Sequence, residues 1–279
     1  MGWYPDPWVD GSLRWYDGFG WSGHTTGTPP PATATSLAEP EVILPLRVGL
    51  LGIGTLLALL LVERTVMYRL LRALDPGVVV SILIAIVVAY GIPLSVGIAA
   101  VRHTGLGTWR HLLGLRAKWV DLAIGPGVWI VVMIGNFMLL GLMKAVGIPF
   151  TSNVRGLRGE GDPIPRPLLV LLIVVIAPIV EEILFRGLFL RALRSKLPTW
   201  GAVAVQGVLF GAVHASPVFG KGNIGLVILL AWAGILLGTI ATLCKRIGPS
   251  IAAHMVLNGV VAILLITGVA DKLQGMALG

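Results

Sequence analysis

The chain of 279 residues is 56% hydrophobic and only 12% charged, with a mean hydropathy of +0.90. Soluble domains carry about 25% charged residues, so this composition excludes an ordinary soluble protein and predicts a multi-pass membrane protein. The net charge of +8 reflects basic residues in predicted loops, where anionic lipid headgroups attract them, and it predicts no nucleic-acid partner. The single cysteine, Cys244, excludes an intrachain disulfide.

The first 25 residues are rich in aromatic side chains and form a predicted module, residues 1–25. Asp17-Gly18 between aromatic runs indicates a tight hairpin turn, because such a turn needs positive φ at both central residues. The aromatic pattern resembles a short Trp-rich module of unknown function at the termini of actinobacterial membrane proteins. That resemblance implies a bacterial source but no chemistry. Two roles stay open for the module: an aromatic cluster at the lipid interface and the binding of a protein partner.

Residues 26–45 are rich in Thr, Ala and Pro and predict an extended linker. Residues 46–270 predict a membrane-embedded domain, in which about 20 apolar residues make one crossing. The predicted spans are Leu46–Val62, Gly77–Val101, Leu122–Met143, Leu168–Leu190, Gly201–Ala215, Ile224–Leu243 and Ser250–Val269. Residues 65–74 mix apolar and basic side chains and predict a further, interfacial helix. The fold class is therefore all-α, a polytopic transmembrane bundle of seven or eight helices, and the loop charges favour an inward N-terminus.

Two adjacent acids, Glu181 and Glu182, follow an uncharged apolar run over residues 168–180. An acid at bilayer depth costs roughly 2.5–3.5 kcal/mol on insertion scales, so such a pair predicts a functional site. Glu182 and Arg186 are four residues apart with the acid first, which is the favourable order for an ion pair on a helix. Glu181 points about 100° away from Glu182 and is free to face another group.

Two more polar pairs lie in the late spans. Phe210 and His214 share a face of the fifth span, and His254 and Asn258 share a face of the last. Each group alone is typical of helix packing, but together with the acids they predict one cluster whose members compensate each other. A carboxylate and a histidine can deprotonate water, while His254 and Asn258 can stabilise an oxyanion. Alternatively, His214, His254 and Glu181 hold a divalent ion such as zinc, and the sequence leaves both versions open.

Three spaced motifs on the late helices carry a family resemblance. They are Glu181-Glu182-x-x-x-Arg186, Phe210-x-x-x-His214 and His254-x-x-x-Asn258. In order, spacing and placement they resemble the signature motifs of the CAAX-protease and bacteriocin-processing family, also called the CPBP or Abi family, over residues 168–269. The resemblance implies a polytopic helical fold with its site inside the membrane.

The resemblance also implies roles for the motif residues. Glu181 would be the base that activates water, with His214 assisting it. His254 and Asn258 would hold the oxyanion. The pair formed by Glu182 and Arg186 would support the site, and Phe210 belongs to the same supporting group. Members of the family are commonly called metalloproteases, which keeps the zinc alternative open.

The predicted function is that of an intramembrane endopeptidase in a bacterial cell membrane. Its expected partners are membrane lipid and a peptide or protein substrate, which is itself expected at the membrane. One alternative is a non-enzymatic membrane scaffold or bacteriocin-immunity factor with the same fold. Another is a proton or ion transporter, since acids and histidines in spans relay protons. The transporter is disfavoured because the sequence has no clear inverted repeat.

Overall fold

A computed structural model describes residues 2–9, 11–17, 20–26, 43–62, 66, 68–74, 77–151, 165–215 and 217–267. The chain divides into two compact units, Met1–Glu41 and Val42–Gly279. Most of the predicted linker, residues 27–42, lies outside the described residues, as do Gly18 of the predicted hairpin turn and residues 268–270 at the end of the predicted domain.

The N-terminal unit contains a three-stranded antiparallel sheet. Its strands are β1 (Gly2–Pro5), β2 (Leu13–Tyr16) and β3 (Trp21–Thr26), in the order β1-β2-β3. Trp3 pairs with Trp15 across β1 and β2, and their rings meet edge to face with centroids 5.7 Å apart. The small aromatic module predicted from the sequence is confirmed, with a third strand added to the expected hairpin.

A buried carboxylate joins the loop after β1 to β2. Asp6 accepts hydrogen bonds from the Arg14 Nε at 3.0 Å and from the Trp8 backbone N–H at 2.9 Å. The Arg14 guanidinium also lies 5.0 Å from the centre of the Trp8 ring. Burial raises the pKa of the Asp6 carboxyl, but these hydrogen bonds and the Arg14 charge outweigh it and hold the pKa below its usual range. The ionised form of Asp6 therefore favours the folded sheet.

The second unit is helical. Its helices are α1 (Leu46–Val62), α2 (Tyr68–Leu74), α3 (Val79–Arg102), α4 (Trp109–Leu112), α5 (Asp121–Ala145), α6 (Arg166–Leu193), α7 (Thr199–Val213), α8 (Asn223–Cys244) and α9 (Gly248–Ile266). Among the described residues, four continuous helices are long and apolar enough to cross a membrane: α3, α5, α6 and the segment Gly220–Cys244 that contains α8. Helices α1 and α7 and most of α9 are apolar but shorter. The protein is therefore a multi-pass membrane protein, and the all-α class is confirmed.

Prolines interrupt the α-helical hydrogen bonding of α3 and α6. In α3, a π-helical turn at Val87–Gly91 ends two residues before Pro93. In α6, π-helical segments at Leu171–Ile176 and Ile183–Leu190 flank the turn that contains Pro178 and both glutamates. Proline has no N–H and its ring clashes with the carbonyl four residues earlier, and single π-helical turns are frequent at functional sites.

Helix α6 is the central helix of the second unit. Every residue from 180 to 190 is buried, whereas the other long spans leave many large apolar side chains exposed. Other helices therefore surround this part of α6, whereas the outer helices present their apolar side chains to lipid. The polar side chains of α6 consequently face other helices, which is the condition for an acid to persist at this depth.

Candidate active site

The second acid of α6 forms a buried ion pair. Glu182 Oε1 lies 2.8 Å from Arg186 Nη1, and both side chains are fully shielded from solvent. Arg186 Nη2 donates to the backbone carbonyl of Gly234 in α8 at 3.0 Å. The guanidinium carbon also lies 4.4 Å from the centre of the Phe210 ring, a cation–π contact. Glu182 is therefore held in place and its charge is balanced inside the protein.

Glu182 also orients a histidine from α9. Its Oε1 lies 2.9 Å from Nδ1 of His254. An ionised carboxylate only accepts hydrogen bonds, so Nδ1 of His254 carries a hydrogen. The opposite ring nitrogen, Nε2, points to the first acid and lies 3.9 Å from Glu181 Oε2.

His214 reaches the same carboxylate from the end of α7. Helix α7 ends at Val213, and His214 is its C-terminal capping residue. The Nδ1 atom of His214 lies 2.7 Å from the carbonyl oxygen of Phe210, which only accepts, so this nitrogen also carries a hydrogen. The Nε2 atom of His214 lies 3.9 Å from Glu181 Oε2.

Glu181 divides its two oxygens between different partners. Oε1 accepts a hydrogen bond of 2.9 Å from the hydroxyl of Tyr90, while Oε2 faces both histidines. Tyr90 belongs to the π-helical turn of α3, and sequence reasoning missed it. The available signal was a hydroxyl inside an apolar span next to Gly91 and Pro93, but nothing in the sequence connects that span to Glu181.

Three atoms thus converge: Glu181 Oε2, His214 Nε2 and His254 Nε2. The separation of 3.9 Å from each nitrogen to the oxygen is too long for a direct hydrogen bond, but a water about 2.8 Å from both atoms fits between the oxygen and either nitrogen. Two ligands of a tetrahedral zinc ion lie closer, roughly 3.3 Å apart. Within the part of the chain that the structure describes, no group of three His, Cys, Asp or Glu side chains is arranged to hold a metal ion. The donor types suit zinc, whereas their spacing does not.

Phe210 packs against both histidines. Its ring centre lies 4.9 Å from that of His214 and 5.6 Å from that of His254, and 5.2 Å from that of Phe185. Together with its cation–π contact to Arg186, this ring forms an apolar wall shared by all three motifs.

Asn258 lies one helical turn beyond His254 on α9. Its Nδ2 donates to the backbone carbonyl of Ile173 in α6 at 2.8 Å. This amide hydrogen therefore contacts the helix that carries the glutamates, on the N-terminal side of Pro178.

A buried amide on α7, Gln206, was also missed by sequence reasoning. Its Nε2 donates to the carbonyls of Gly234 at 2.9 Å and Val203 at 3.0 Å. Gly234 therefore accepts from both Gln206 and Arg186, which ties α7 and α6 to one point of α8. A glutamine in an apolar span was the available signal.

The comparisons with known proteins agree with the motif resemblance. Residues 163–260 match the family described as type II CAAX prenyl endopeptidase Rce1-like, and all seven motif residues lie inside this segment. A Bacillus subtilis (strain 168) protein named "Putative membrane peptidase YdiL" is 30% identical over 108 residues, which are 39% of this chain and 41% of that protein. No solved structure matches the chain.

The N-terminal module has its own match. Residues 2–34 match a family described only as a protein of unknown function, DUF2510, which adds no chemistry to the aromatic sheet. For the membrane domain, the matches of residues 163–260 to a CAAX prenyl endopeptidase family model and of 108 residues to a membrane peptidase by name agree with the resemblance that the three motifs carry.

Proposed function

We propose that this protein is an intramembrane endopeptidase of the CAAX-protease type, which hydrolyses a peptide bond with a water activated by Glu181 and His214. The observation that carries the proposal is the convergence of Glu181 Oε2 with the Nε2 atoms of His214 and His254, at 3.9 Å from each. Both imidazoles have Nδ1 engaged elsewhere, so their Nε2 atoms are the ones turned to a bound water. The family and relative named above, both peptidases by name, support the same reaction class.

In the proposed reaction, water bound between Glu181 and the histidines attacks the carbonyl carbon of the scissile peptide bond. The water proton passes to Oε2 of Glu181, with His214 Nε2 as the second contact of the attacking oxygen. The C–N bond breaks as this proton reaches the amide nitrogen. One water is consumed, and one carboxyl group and one amine are released.

The proposed oxyanion donor is His254. Glu182 lies 2.9 Å from Nδ1 and takes up that side of the ring, so a donation to the oxyanion would run from an Nε2–H of the doubly protonated ring. Asn258, the second predicted donor, is one turn further along α9.

The proposed substrate is a peptide or protein segment that reaches the site from the membrane. Glu181 is 9% exposed, in contrast to the fully enclosed Glu182, and His214 keeps 24% of its side chain accessible. The site therefore opens on the side of Glu181 and His214, where an extended chain would enter. A protein partner for the N-terminal sheet is part of the same proposal.

The test is cleavage by the purified full chain in proteoliposomes. The probes are fluorogenic peptides that end in a prenylated cysteine motif, together with unprenylated peptides of the same sequence and apolar transmembrane peptides. We expect cleavage by the wild type and a loss of about 10³-fold or more in Glu181→Gln, because the base is removed. Glu63→Gln, outside the motifs, is the matched control.

Two outcomes contradict the proposal in different ways. Wild-type rates in Glu181→Gln would exclude this residue as the base. No cleavage of any probe by a correctly folded wild type, combined with motif variants that retain their cellular phenotype, would favour the non-enzymatic scaffold or immunity factor.

A divalent ion on His214, His254 and Glu181 remains a prediction of its own. Because the spacing is wider than that of zinc ligands, the proposed reaction uses no metal. We expect cleavage to persist after the purified chain is stripped with a chelator. Loss of activity that zinc restores, with one bound zinc by mass spectrometry in the wild type and none in His254→Ala, would contradict the metal-free version.

A further inference from the structure

The carbonyl oxygen of Gly234 in α8 is shared by two side chains from different helices. Gln206 Nε2 of α7 donates to it at 2.9 Å, and Arg186 Nη2 of α6 donates to it at 3.0 Å. Gln206 is 0% exposed and Arg186 is 1% exposed. A carbonyl oxygen has two lone pairs, so each donor limits the directions from which the other can approach. The amide of Gln206 therefore helps to set where the guanidinium lies.

Two glycines of α8, one helical turn apart, let these side chains approach. A Cβ on Gly238 would overlap Nε2 of Gln206. A Cβ on Gly234 would lie 3.1 Å from Cβ of Phe210. Gln206 and Phe210 are also one turn apart and share a face of α7. The amide therefore reaches the Gly234 carbonyl, while the Phe210 ring lies 4.4 Å from the guanidinium carbon of Arg186.

The guanidinium of Arg186 carries this placement to the candidate active site. A guanidinium is planar and its donors point in fixed directions, so the bond from Nη2 to Gly234 also directs Nη1. Nη1 lies 2.8 Å from Glu182 Oε1. The same carboxylate oxygen lies 2.9 Å from Nδ1 of His254. The orientation of the imidazole that faces Glu181 therefore depends on where the guanidinium is held.

We propose that Gln206 is a positioning residue, which acts through the Gly234 carbonyl to hold the guanidinium of Arg186 and thereby the acid and the histidine bonded to it. Its amide contacts backbone carbonyls of α7 and α8, and it acts through Arg186 on the reacting atoms. The effect of Gln206 on cleavage rests on the proposed peptidase function. Its energetic coupling to Arg186 does not.

The first experiment measures cleavage kinetics of the full chain in proteoliposomes. Gln206→Met keeps the length of the side chain and removes its donors. We expect kcat to fall by about 10- to 100-fold, as small misplacements of catalytic groups do, and KM to change little. Asn136→Leu removes the amide of α5 in the same way and is the matched control, with an unchanged kcat expected.

The second experiment asks whether Gln206 acts through Arg186. Arg186→Lys keeps the charge beside Glu182 but has no planar fork to orient. In that background we expect Gln206→Met to change kcat by less than about 2-fold, because residues that act in series are not additive. A route through a displaced α7 and His214 would instead lower kcat equally in both backgrounds.

The third experiment measures the same coupling without catalysis, by thermal unfolding in detergent. Residues that share a partner give non-additive effects on stability, whereas independent sites add. The shift in unfolding temperature of Gln206→Met/Arg186→Lys is expected to differ from the sum of the two single shifts. Gln206→Met/Asn136→Leu is the control pair and is expected to be additive.

The outcomes separate a positioning role from ordinary helix packing. An unchanged kcat in Gln206→Met, or an equal loss in both backgrounds, would overturn the proposal. If the wild type cleaves no probe or Arg186→Lys is inactive, the unfolding shifts decide: additive shifts refute the coupling and non-additive shifts support it.

A further variant is used if Arg186→Lys does not fold. Gly238→Ala places a methyl group where the Gln206 amide lies, so it is expected to lower kcat and unfolding temperature as Gln206→Met does. The double variant Gln206→Met/Gly238→Ala is expected to lose no more than either single variant. Losses that add would overturn the proposal.

Discussion

At the scale of single residues, the two neighbouring glutamates have opposite surroundings. Glu182 is enclosed and bonded to Arg186 and His254 through one oxygen. Glu181 is bonded through Oε1 to Tyr90 and leaves Oε2 to face the two histidines. The 100° between consecutive helical side chains accounts for this division, since it directs Glu182 to α9 and Glu181 to α3 and the site opening.

The hydroxyl of Tyr90 is expected to matter for turnover. Tyr90→Phe removes the hydroxyl that donates to Glu181 Oε1 and leaves the ring in place. A hydrogen bond to a charged group contributes about 1.5–3 kcal/mol, so we expect kcat to fall about 10- to 100-fold while KM changes little. Steady-state kinetics on a cleaved probe measure this.

Tyr68→Phe, the same change at another tyrosine of the membrane domain, serves as the control for the Tyr90 prediction. An unchanged kcat in Tyr90→Phe would show that Oε1 needs no orienting donor, and the role assigned to Tyr90 would be wrong.

At the scale of elements, close helix contact positions His214. Helices α7 and α8 approach through glycines: a Cβ on Gly211 would lie 2.8 Å from the backbone nitrogen of Ala231 and also meet the carbonyl of Val227. Gly211 is three residues before His214, and its own carbonyl accepts the backbone N–H of His214 at 3.2 Å. A shift of α7 away from α8 would therefore carry the imidazole with it.

Gly211→Ala is expected to lower both cleavage and thermal stability. Backbone atoms of α8 cannot yield to the added methyl, so overpacking should cost about 1–3 kcal/mol and move His214 from Glu181. Thermal unfolding in detergent and probe cleavage measure the two effects. Gly141→Ala in α5 is the matched control, because a Cβ there meets nothing within 4 Å and alanine favours helix. Equal behaviour of the two variants would contradict the packing argument.

The i to i+4 pairing of Glu182 with Arg186 was predicted from the sequence and is present, although the segment Ile183–Leu190 is π-helical. The sequence did not predict that the carbonyl of Ile173, five residues before Pro178, accepts a hydrogen bond from another helix. Sequence periodicity describes an uninterrupted helix, whereas the carbonyl of Ile173 acquires its partner from a helix 85 positions away.

At the scale of the whole molecule, the two units depend on different interactions for their stability. The aromatic sheet depends on a carboxylate, Asp6, bonded to Arg14 and Trp8, whereas the membrane unit depends on apolar helices around α6. The described sheet residues come from the first 26 positions of the chain, and the helices begin at Leu46.

The N-terminal sheet is expected to lose stability in acid. The pKa of Asp6 is lowered in the folded state, so the stabilisation is present above the ordinary carboxyl pKa of about 3.9 and is lost as the pH falls through the lowered value. Indole signals of the ¹⁵N-tryptophan-labelled full chain in detergent, followed from neutral to acidic pH, measure this. Asp6→Asn is expected to show the weakened sheet already at neutral pH, and an identical acid response in that variant would contradict the assignment.

The sequence by itself determined the class of the protein and the family that its membrane domain resembles. Composition and the lengths of apolar runs require a multi-pass helical protein, because only such segments satisfy their own backbone in lipid. The three motifs, each readable within six residues, were sufficient to recognise the family resemblance. Tertiary structure alone decided which side-chain atoms face each other. Tyr90 and Glu181 are hydrogen-bonded although they are 91 residues apart in the sequence, and His254 and Glu182 although they are 72 residues apart. Hydrogen bonds act over about 3 Å, and contacts that short depend on how separate helices pack, which no local pattern encodes.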